Sequence, residues 1–208
     1  MARCPLTNVR AGRKTVDGDA VGQVALNHDD QDDLLMKRIA QGHPRAMREL
    51  TTMAGSRLYA FAARILGNNA DAEDVTQEAV IRAVRYAPRW QSGTARLDTW
   101  LHAVVLNLCR DRLRKRQRTS TAEVPDSADA ALNPEEALIE SERGQQVSAA
   151  IGQLPERQRE AIMLVHYQDM NAADAARVLD ISIEALESLL ARGRRSLKQE
   201  LLAKENRI

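Results

Sequence analysis

Apolar residues recur at the spacing of an α-helix through most of this 208-residue chain, and this periodicity limits its fold more than any other feature. Between Asp29 and Arg118 the apolar positions form three groups, which are Leu34, Leu35 and Ile39, then Met47, Leu50 and Met53, then Leu58, Phe61, Ala62 and Ile65. Helical spacing returns from Pro134 to the end. Aromatic residues make up only 3% of the chain, which is thin for a core built from β-sheet. The sequence therefore predicts an all-α protein.

The stretch 119–133 lacks this periodicity and contains Pro125, as a flexible linker does. We therefore predict two small helical domains, at 29–118 and 134–208. Residues 1–28 are rich in Gly, Asp, Asn and Arg, and we expect either a disordered extension or a start codon placed too far upstream.

The chain contains no apolar segment typical of a signal peptide and no apolar run near the length that crosses a bilayer. Its two cysteines, Cys4 and Cys109, do not form a spaced pair, so the sequence indicates neither a disulfide framework nor a zinc site. We expect a cytoplasmic protein that needs no cofactor and does not insert into a membrane.

The net charge is only +1, so any affinity for DNA must come from local segregation of charge. An acidic helix is predicted after Gly67 and Asn68, with Asn69 or Asp71 as its N-cap and Pro88 at its end. Its apolar side carries Ala72, Val75, Ala79, Ala83 and Tyr86, and the opposite stripe carries Asp74, Gln77, Glu78 and Ile81. A solvated surface helix is the simplest interpretation, but an apolar residue rimmed by carboxylates also suits a protein contact.

A turn-rich segment then leads to a second helix, predicted from Thr99 to about Arg116 with Asp98 as its cap; its expected buried side is Trp100, Leu101, Val104, Val105 and Leu108. Between Arg110 and Arg118 six side chains are basic and one, Asp111, is acidic. Such a cluster complements the helix dipole and can also bind phosphates. Trp90, in the turn-rich segment, suits a core or hinge position, or alternatively a surface that stacks on an unpaired base.

A helix-turn-helix pattern lies near the C-terminus. Asn171 is placed to cap a short helix that ends at a turn around Asp180, and Ser182 to cap a longer helix reaching about Leu202. The predicted inner stripe of the longer helix is Ile183, Leu186, Leu190, Gly193 and Leu197, which leaves Glu184, Ser188, Ala191, Arg192 and Arg195 outward. Such a helix can enter the major groove of DNA, although helical hairpins that bind no DNA share the pattern.

These residues resemble the extracytoplasmic-function sigma factors of bacterial RNA polymerase. The likeness to sigma region two rests on the runs Arg64 to Asn68, Asp71 to Glu78 and Ala87 to Trp90, with Gly93, Thr99 to Leu101 and Asn107. The likeness to region four rests on Leu154 to Ala161, His166, Tyr167 and Ala185 to Arg195. It covers roughly residues 32–202, departing from the usual pattern at Asn171 and Asp174.

The resemblance implies a role for each surface. Asp71, Asp74, Gln77, Glu78 and Ile81 would bind the clamp helices of the largest polymerase subunit. The minus-ten promoter element would be bound by Trp90, Arg96, Asn107, Arg110, Arg114 and Lys115, with Arg112 and Arg116 also gripping phosphates. The minus-thirty-five element would be bound by Ser182, Glu184, Glu187, Ser188, Ala191, Arg192 and Arg195. The second domain would also contact the flap of the second-largest subunit, and an anti-sigma factor would control the protein in a stress or signal response.

Three other function classes fit the sequence less well. An enzyme is disfavoured because the four histidines are scattered and the chain has no glycine-rich phosphate loop. A stand-alone helix-turn-helix regulator would leave the first domain unexplained. A sigma-like decoy that binds only an anti-sigma factor would have no need of the cations between Arg110 and Arg118 or between Arg192 and Arg195.

Overall fold

The computed structural model describes residues 28–93, 95–119 and 142–205, and in these ranges the chain is helical with no strand. The first domain contains α1 (His28–Ala40), α2 (Pro44–Leu66), α3 (Asn69–Tyr86) and α4 (Leu97–Thr119), with a 3-10 turn at Ala87–Arg89. The second contains α5 (Glu142–Gly152), α6 (Glu156–Ile162), a π-helical turn at Met163–Tyr167, α7 (Ala172–Leu179) and α8 (Ile183–Glu205). The all-α prediction is confirmed.

Two of the predicted boundaries shift. Helix α1 begins at His28, which was expected to be the last residue of the extension, and α4 runs through Thr119, the first residue of the predicted linker. The rest of the extension and of the linker, and the expected start of the second domain at Pro134, lie outside the described residues.

The core of the first domain forms where α2, α3 and α4 pack against one another, with α1 lying across α2. Its largest fully buried side chains are Phe61, Met36, Ile39, Leu50, Leu58, Ile65, Leu97, Leu101 and Leu106. Two apolar residues of the predicted periodicity, Leu34 and Met53, are instead 49% and 46% exposed. Each lies at the edge of the apolar face of its helix. The nearby residues Met36, in the helix of Leu34, and Ala54, in the helix of Met53, are buried instead.

The turn between α2 and α3 is determined by local chemistry. Gly67 adopts the left-handed conformation, with φ of 61°, and donates its N–H to the carbonyl of Ala63 over 2.8 Å, which ends α2. The side chain of Asn68 then accepts the N–H of Asp71 at 2.9 Å, so Asn68 is the N-cap of α3. The sequence prediction of Asn69 or Asp71 as the cap was therefore wrong by one to three residues.

In the second domain, α5, α6 and α7 pack against α8. Gly193 lies at the closest approach of α8 to α6, where a Cβ atom would come within 2.7 Å of Cδ1 of Ile162. Any larger residue at this position would therefore force the Ile162 side chain to move. The second domain packs in turn on the first, mainly through α7 against α4.

Candidate functional site

The acidic stripe of α3 has the orientation that its sequence predicts. Ala72, Val75, Ala79 and Ala83 are buried. Asp74, Gln77 and Ile81 are exposed on the other side, Glu78 is half-buried, and 44% of the Ile81 surface faces solvent. The Arg82 guanidinium donates to Glu78 over 2.8 Å and the Gln77 amide to Glu73 over 3.2 Å. An apolar side chain rimmed by polar groups thus stands on the surface.

The start of α3 and the end of α4 are not two separate faces, because their opposite charges meet. Arg112 donates to Asp71 over 2.6 Å and to Asp74 over 3.1 Å, and Arg116 pairs with Asp71 and also donates to the carbonyl of Leu66. The Asp71 side chain is only 19% exposed. These contacts turn Asp71 toward α4, so it lies beside the stripe and not on it, while Asp74 remains largely exposed.

The segment that leads into α4 is held by two carboxylates of α1. The Trp90 indole N–H donates to Asp33 over 2.6 Å, and the backbone N–H of Leu97 donates to Asp32 over 2.8 Å. Burial raises the pKa of Asp32, although the hydrogen bond from Leu97 opposes this shift. The expected N-cap of α4, Asp98, lies inside its first turn, and the capping contact comes from Asp32, 65 residues earlier. The roles of Asp32 and Asp33 were not predicted from the sequence, because their hydrogen bonds join distant segments of the chain.

Trp90 belongs to an aromatic cluster with Tyr86 and Trp100. Its ring centroid lies 6.4 Å from each of the other two, edge to face, and Tyr86 stacks on Trp100 at 5.0 Å. The half-buried ring and its bonded N–H give Trp90 the core or hinge position that the sequence left open. It anchors the loop before α4, in which Arg96 is exposed; its assignment to the minus-ten element stays a prediction.

The basic residues of α4 have different surroundings. Arg114 and Lys115 are exposed, and Arg114 pairs with Asp111 in the same helix. Asn107 is half-buried. Arg110 instead points to the second domain, where its Nε and Nη2 donate to the two carboxylate oxygens of Glu160 at 2.7 and 2.6 Å.

Glu160 is fully buried, and its pairing with Arg110 was not predicted from the sequence. Burial works against the charge on Arg110, but its hydrogen bonds with Glu160 and the charge of Glu160 raise the pKa of Arg110 overall. One feature of the sequence does indicate that Glu160 has a partner. It directly precedes Ala161 and Ile162, which are buried, and a charged residue on the buried side of a helix is expected to be paired.

The helix-turn-helix forms as predicted. The Asn171 side chain accepts the N–H of Asp174 at 2.9 Å, Asp180 adopts the left-handed conformation with φ of 55°, and the Ser182 hydroxyl accepts the N–H of Ala185 at 3.2 Å. Asn171 and Asp174, the two departures from the usual family pattern, therefore still form a helix cap. One residue of the predicted inner stripe, Ile183, is 43% exposed at the first position of the helix.

The outer face of α8 lies on the surface of the described part of the chain. All seven residues predicted to bind DNA there are exposed, and they are Ser182, Glu184, Glu187, Ser188, Ala191, Arg192 and Arg195. Hydrogen bonds from its own backbone N–H and from Ser182 lower the pKa of Glu184. A carboxylate fixed in this way at the helix start can accept a hydrogen bond from a base amino group but repels phosphates.

Among the described residues, no cluster of His, Cys, Asp and Glu could hold a metal ion, and no helix is long and apolar enough to cross a membrane. The candidate functional residues lie on surfaces, which offer cations for polyanions and, on α3, the exposed apolar side chain of Ile81 for a protein.

Comparison with known proteins identifies two family regions in the chain. The Sigma-70 region 2 family matches residues 50–119, and Sigma-70, region 4 matches residues 144–197. The ECF RNA polymerase sigma factor SigE of Mycolicibacterium smegmatis is 33% identical over 157 residues, which are 74% of this chain and 60% of SigE. SigW of Bacillus subtilis, of the same class, is 28% identical over 178 residues, or 80% of this chain and 94% of SigW.

A similar solved structure is the sigma factor RpoE of Bartonella quintana in complex with the anti-sigma factor NepR. Its TM-score is 0.65 at 28% identity, over 75% of this chain and 96% of RpoE. Sigma-70 regions 2 and 4 on one helical chain define a sigma factor of RNA polymerase. This chain belongs to the extracytoplasmic-function (ECF) sigma factors of the sigma-70 family.

Proposed function

We propose that this sigma factor binds core RNA polymerase through the α3 stripe and directs initiation by placing α4 on the minus-ten element and α8 on the minus-thirty-five element of a promoter. The observation that carries the proposal is the coexistence of two surfaces in one chain. One is the exposed outer face of α8, and the other is Ile81 with its polar rim on α3. A protein that only binds DNA needs the first surface alone.

The polymerase surface consists of Asp74, Gln77, Glu78 and Ile81. Asp74 is the most accessible carboxylate, since 61% of its side chain is exposed, against 38% for Glu78 and 19% for Asp71. An exposed apolar residue next to carboxylates suits a partner that offers an apolar pocket beside cations. We propose the clamp helices of the largest subunit as this partner. Asp71 acts indirectly, by holding Arg112 and Arg116 in place.

The promoter surfaces are α4 and α8. Exposed Arg114 and Lys115 suit phosphate contacts, and Asn107 suits a base contact because its amide both donates and accepts hydrogen bonds. On α8, Ser188 and Ala191 are small enough for close approach to base edges, and Arg192 and Arg195 reach phosphates. No step of this function needs covalent chemistry, so we propose a non-enzymatic, cytoplasmic protein.

We further propose an anti-sigma factor as a partner, because the similar RpoE structure is of a complex with one.

The test is transcription in vitro with core polymerase and the DNA upstream of the chain's own gene. We expect a discrete transcript that depends on the chain, and loss of that transcript for Arg192→Ala with Arg195→Ala. Lys198→Ala, on a flanking exposed position of the same helix, is the matched control and should retain it. A stand-alone regulator would bind the DNA without polymerase and give no transcript, and a decoy would bind neither DNA nor core; either outcome refutes the proposal.

A further inference from the structure

The first half of helix α4 is enclosed on every side. All eight residues from Thr99 to Leu106 are buried, and eight residues make more than two helical turns, so they cover the whole circumference. The helices α2 and α3 of the first domain cover one side, and α7 of the second domain packs against α4 as well. The minus-ten helix is therefore partly enclosed by the other half of the same chain.

Polar contacts join the two domains near the π-helical turn. Nε2 of His102 lies 3.2 Å from Oε1 of Gln168, and the Arg57 guanidinium donates to the Gln168 carbonyl over 3.3 Å. Arg64 lies over the Tyr167 ring, 5.1 Å from its centroid. Helices α2 and α4 of the first domain thus meet one short segment of the second.

Arg110 of the first domain and Glu160 of the second form an ion pair. Both carboxylate oxygens are engaged by two donors of one edge of the guanidinium, and the Glu160 side chain is fully buried. Arg157 adds a second positive charge, 3.7 Å from the same carboxylate.

Arginine binds phosphates through the same edge of the guanidinium group that Arg110 uses to bind Glu160. Carboxylate and phosphate present two oxygens with similar spacing, and arginine binds both in the same bidentate manner. While Glu160 occupies that edge, the same edge of Arg110 cannot bind a DNA phosphate. A buried ion pair is nearly balanced against hydration of its separated partners, so such a contact can be exchanged for another anion.

We propose that Glu160 is an internal substitute for a DNA phosphate, and that its pairing with Arg110 latches the second domain over the minus-ten surface of the free protein. The inference rests on the proposed role of Arg110 in DNA binding. Closure and promoter binding through Arg110 exclude each other, so the free chain has low affinity for minus-ten DNA. Separation of the two domains releases Arg110 for the promoter.

The test uses the full chain without polymerase. Glu160→Gln removes the charge and keeps the shape of the side chain, and Glu156→Gln is the matched control, since Glu156 is an exposed glutamate one turn earlier on α6. Small-angle scattering reports the radius of gyration, and fluorescence anisotropy reports affinity for a short fork-shaped DNA with an exposed minus-ten strand. We expect Glu160→Gln to expand the chain and to tighten DNA binding about tenfold, the scale of a hydrogen bond to a charged group. Glu156→Gln should change both values much less than Glu160→Gln does, because Glu156 acts on Arg110 through its charge alone.

A reversed pair keeps the test valid if Glu160→Gln unfolds, which circular dichroism would reveal. Glu160→Arg alone should expand the chain, and adding Arg110→Glu should restore the compact radius, because the same two positions again carry opposite charges. An unchanged radius for Glu160→Arg, or an expanded double variant, would overturn the latch. Expansion without tighter DNA binding would overturn the competition for Arg110, while absence of a transcript with wild-type protein would count against the proposed function and not against the latch.

Discussion

Replacement of Ile81 by Glu should strongly weaken binding to core polymerase while the protein stays folded. Ile81 is the apolar member of the α3 stripe and is 44% exposed. Removal of a central apolar contact residue from an interface costs about 2 kcal/mol or more, which is about 30-fold in Kd. A competition titration against a labelled wild-type chain on core polymerase measures this loss.

The cost to folding is smaller. Just over half of the Ile81 surface is already covered within the domain, and full burial of such a side chain contributes about 1.5–3 kcal/mol, so the substitution should destabilise the fold by about 1 kcal/mol. Part of this lost stability is recovered, because the new carboxylate lies one helical turn before Arg85 and can form an ion pair with it. A fall of about 4–8 °C in Tm is expected. For a domain stable by about 5 kcal/mol, well under about 1% would then be unfolded, so unfolding cannot explain a 30-fold loss.

Met53→Glu is the matched control. Met53 is 46% exposed, nearly the same as Ile81, but lies on α2 outside the stripe. Its stability loss should be similar and its polymerase affinity unchanged. If Ile81→Glu bound core polymerase within about twofold of wild type while folded, or if both variants lost binding equally, the assignment of the stripe would be wrong.

Gly193→Leu should destabilise the second domain by about 1–3 kcal/mol, since even a Cβ would meet the Ile162 side chain, and an unchanged urea midpoint would contradict this. Arg114→Ala with Lys115→Ala should weaken binding to all promoters alike and lower the slope of log K against log salt by about 1–2. Asn107→Ala should instead change the base preference at the minus-ten element, and a randomised promoter library that selects the same sequences with wild type and variant would exclude base recognition there.

The helices and their local ends follow from the sequence because their determinants lie within a few residues. Asn171 and Ser182 cap helices whose first N–H groups lie three residues away. The apolar side of α3 is correct for the same reason, since a spacing of three to four residues fixes which side chains share a face. Such short-range patterns also carry the resemblance to the sigma factor family.

Contacts between distant segments were decided only in the folded chain. The start of α4 depends on Asp32, which is 65 residues away, and no local rule favours that carboxylate over the nearer Asp98. Arg110 is a second residue whose partner is not evident from nearby residues. Its neighbours in sequence are mostly basic, so the sequence predicts only that it belongs to a phosphate-binding helix end.

Only the packing of α7 on α4 and the burial of Glu160 bring a carboxylate to Arg110 across 50 residues of sequence. Periodicity along a helix specifies which residues share a face, but not which other helix covers that face. The sequence therefore determined which side chains share each helix face, and the tertiary structure determined that Arg110, Arg112 and Arg116 are already paired with carboxylates. The physical reason is that a buried charge must find a partner wherever the fold supplies one.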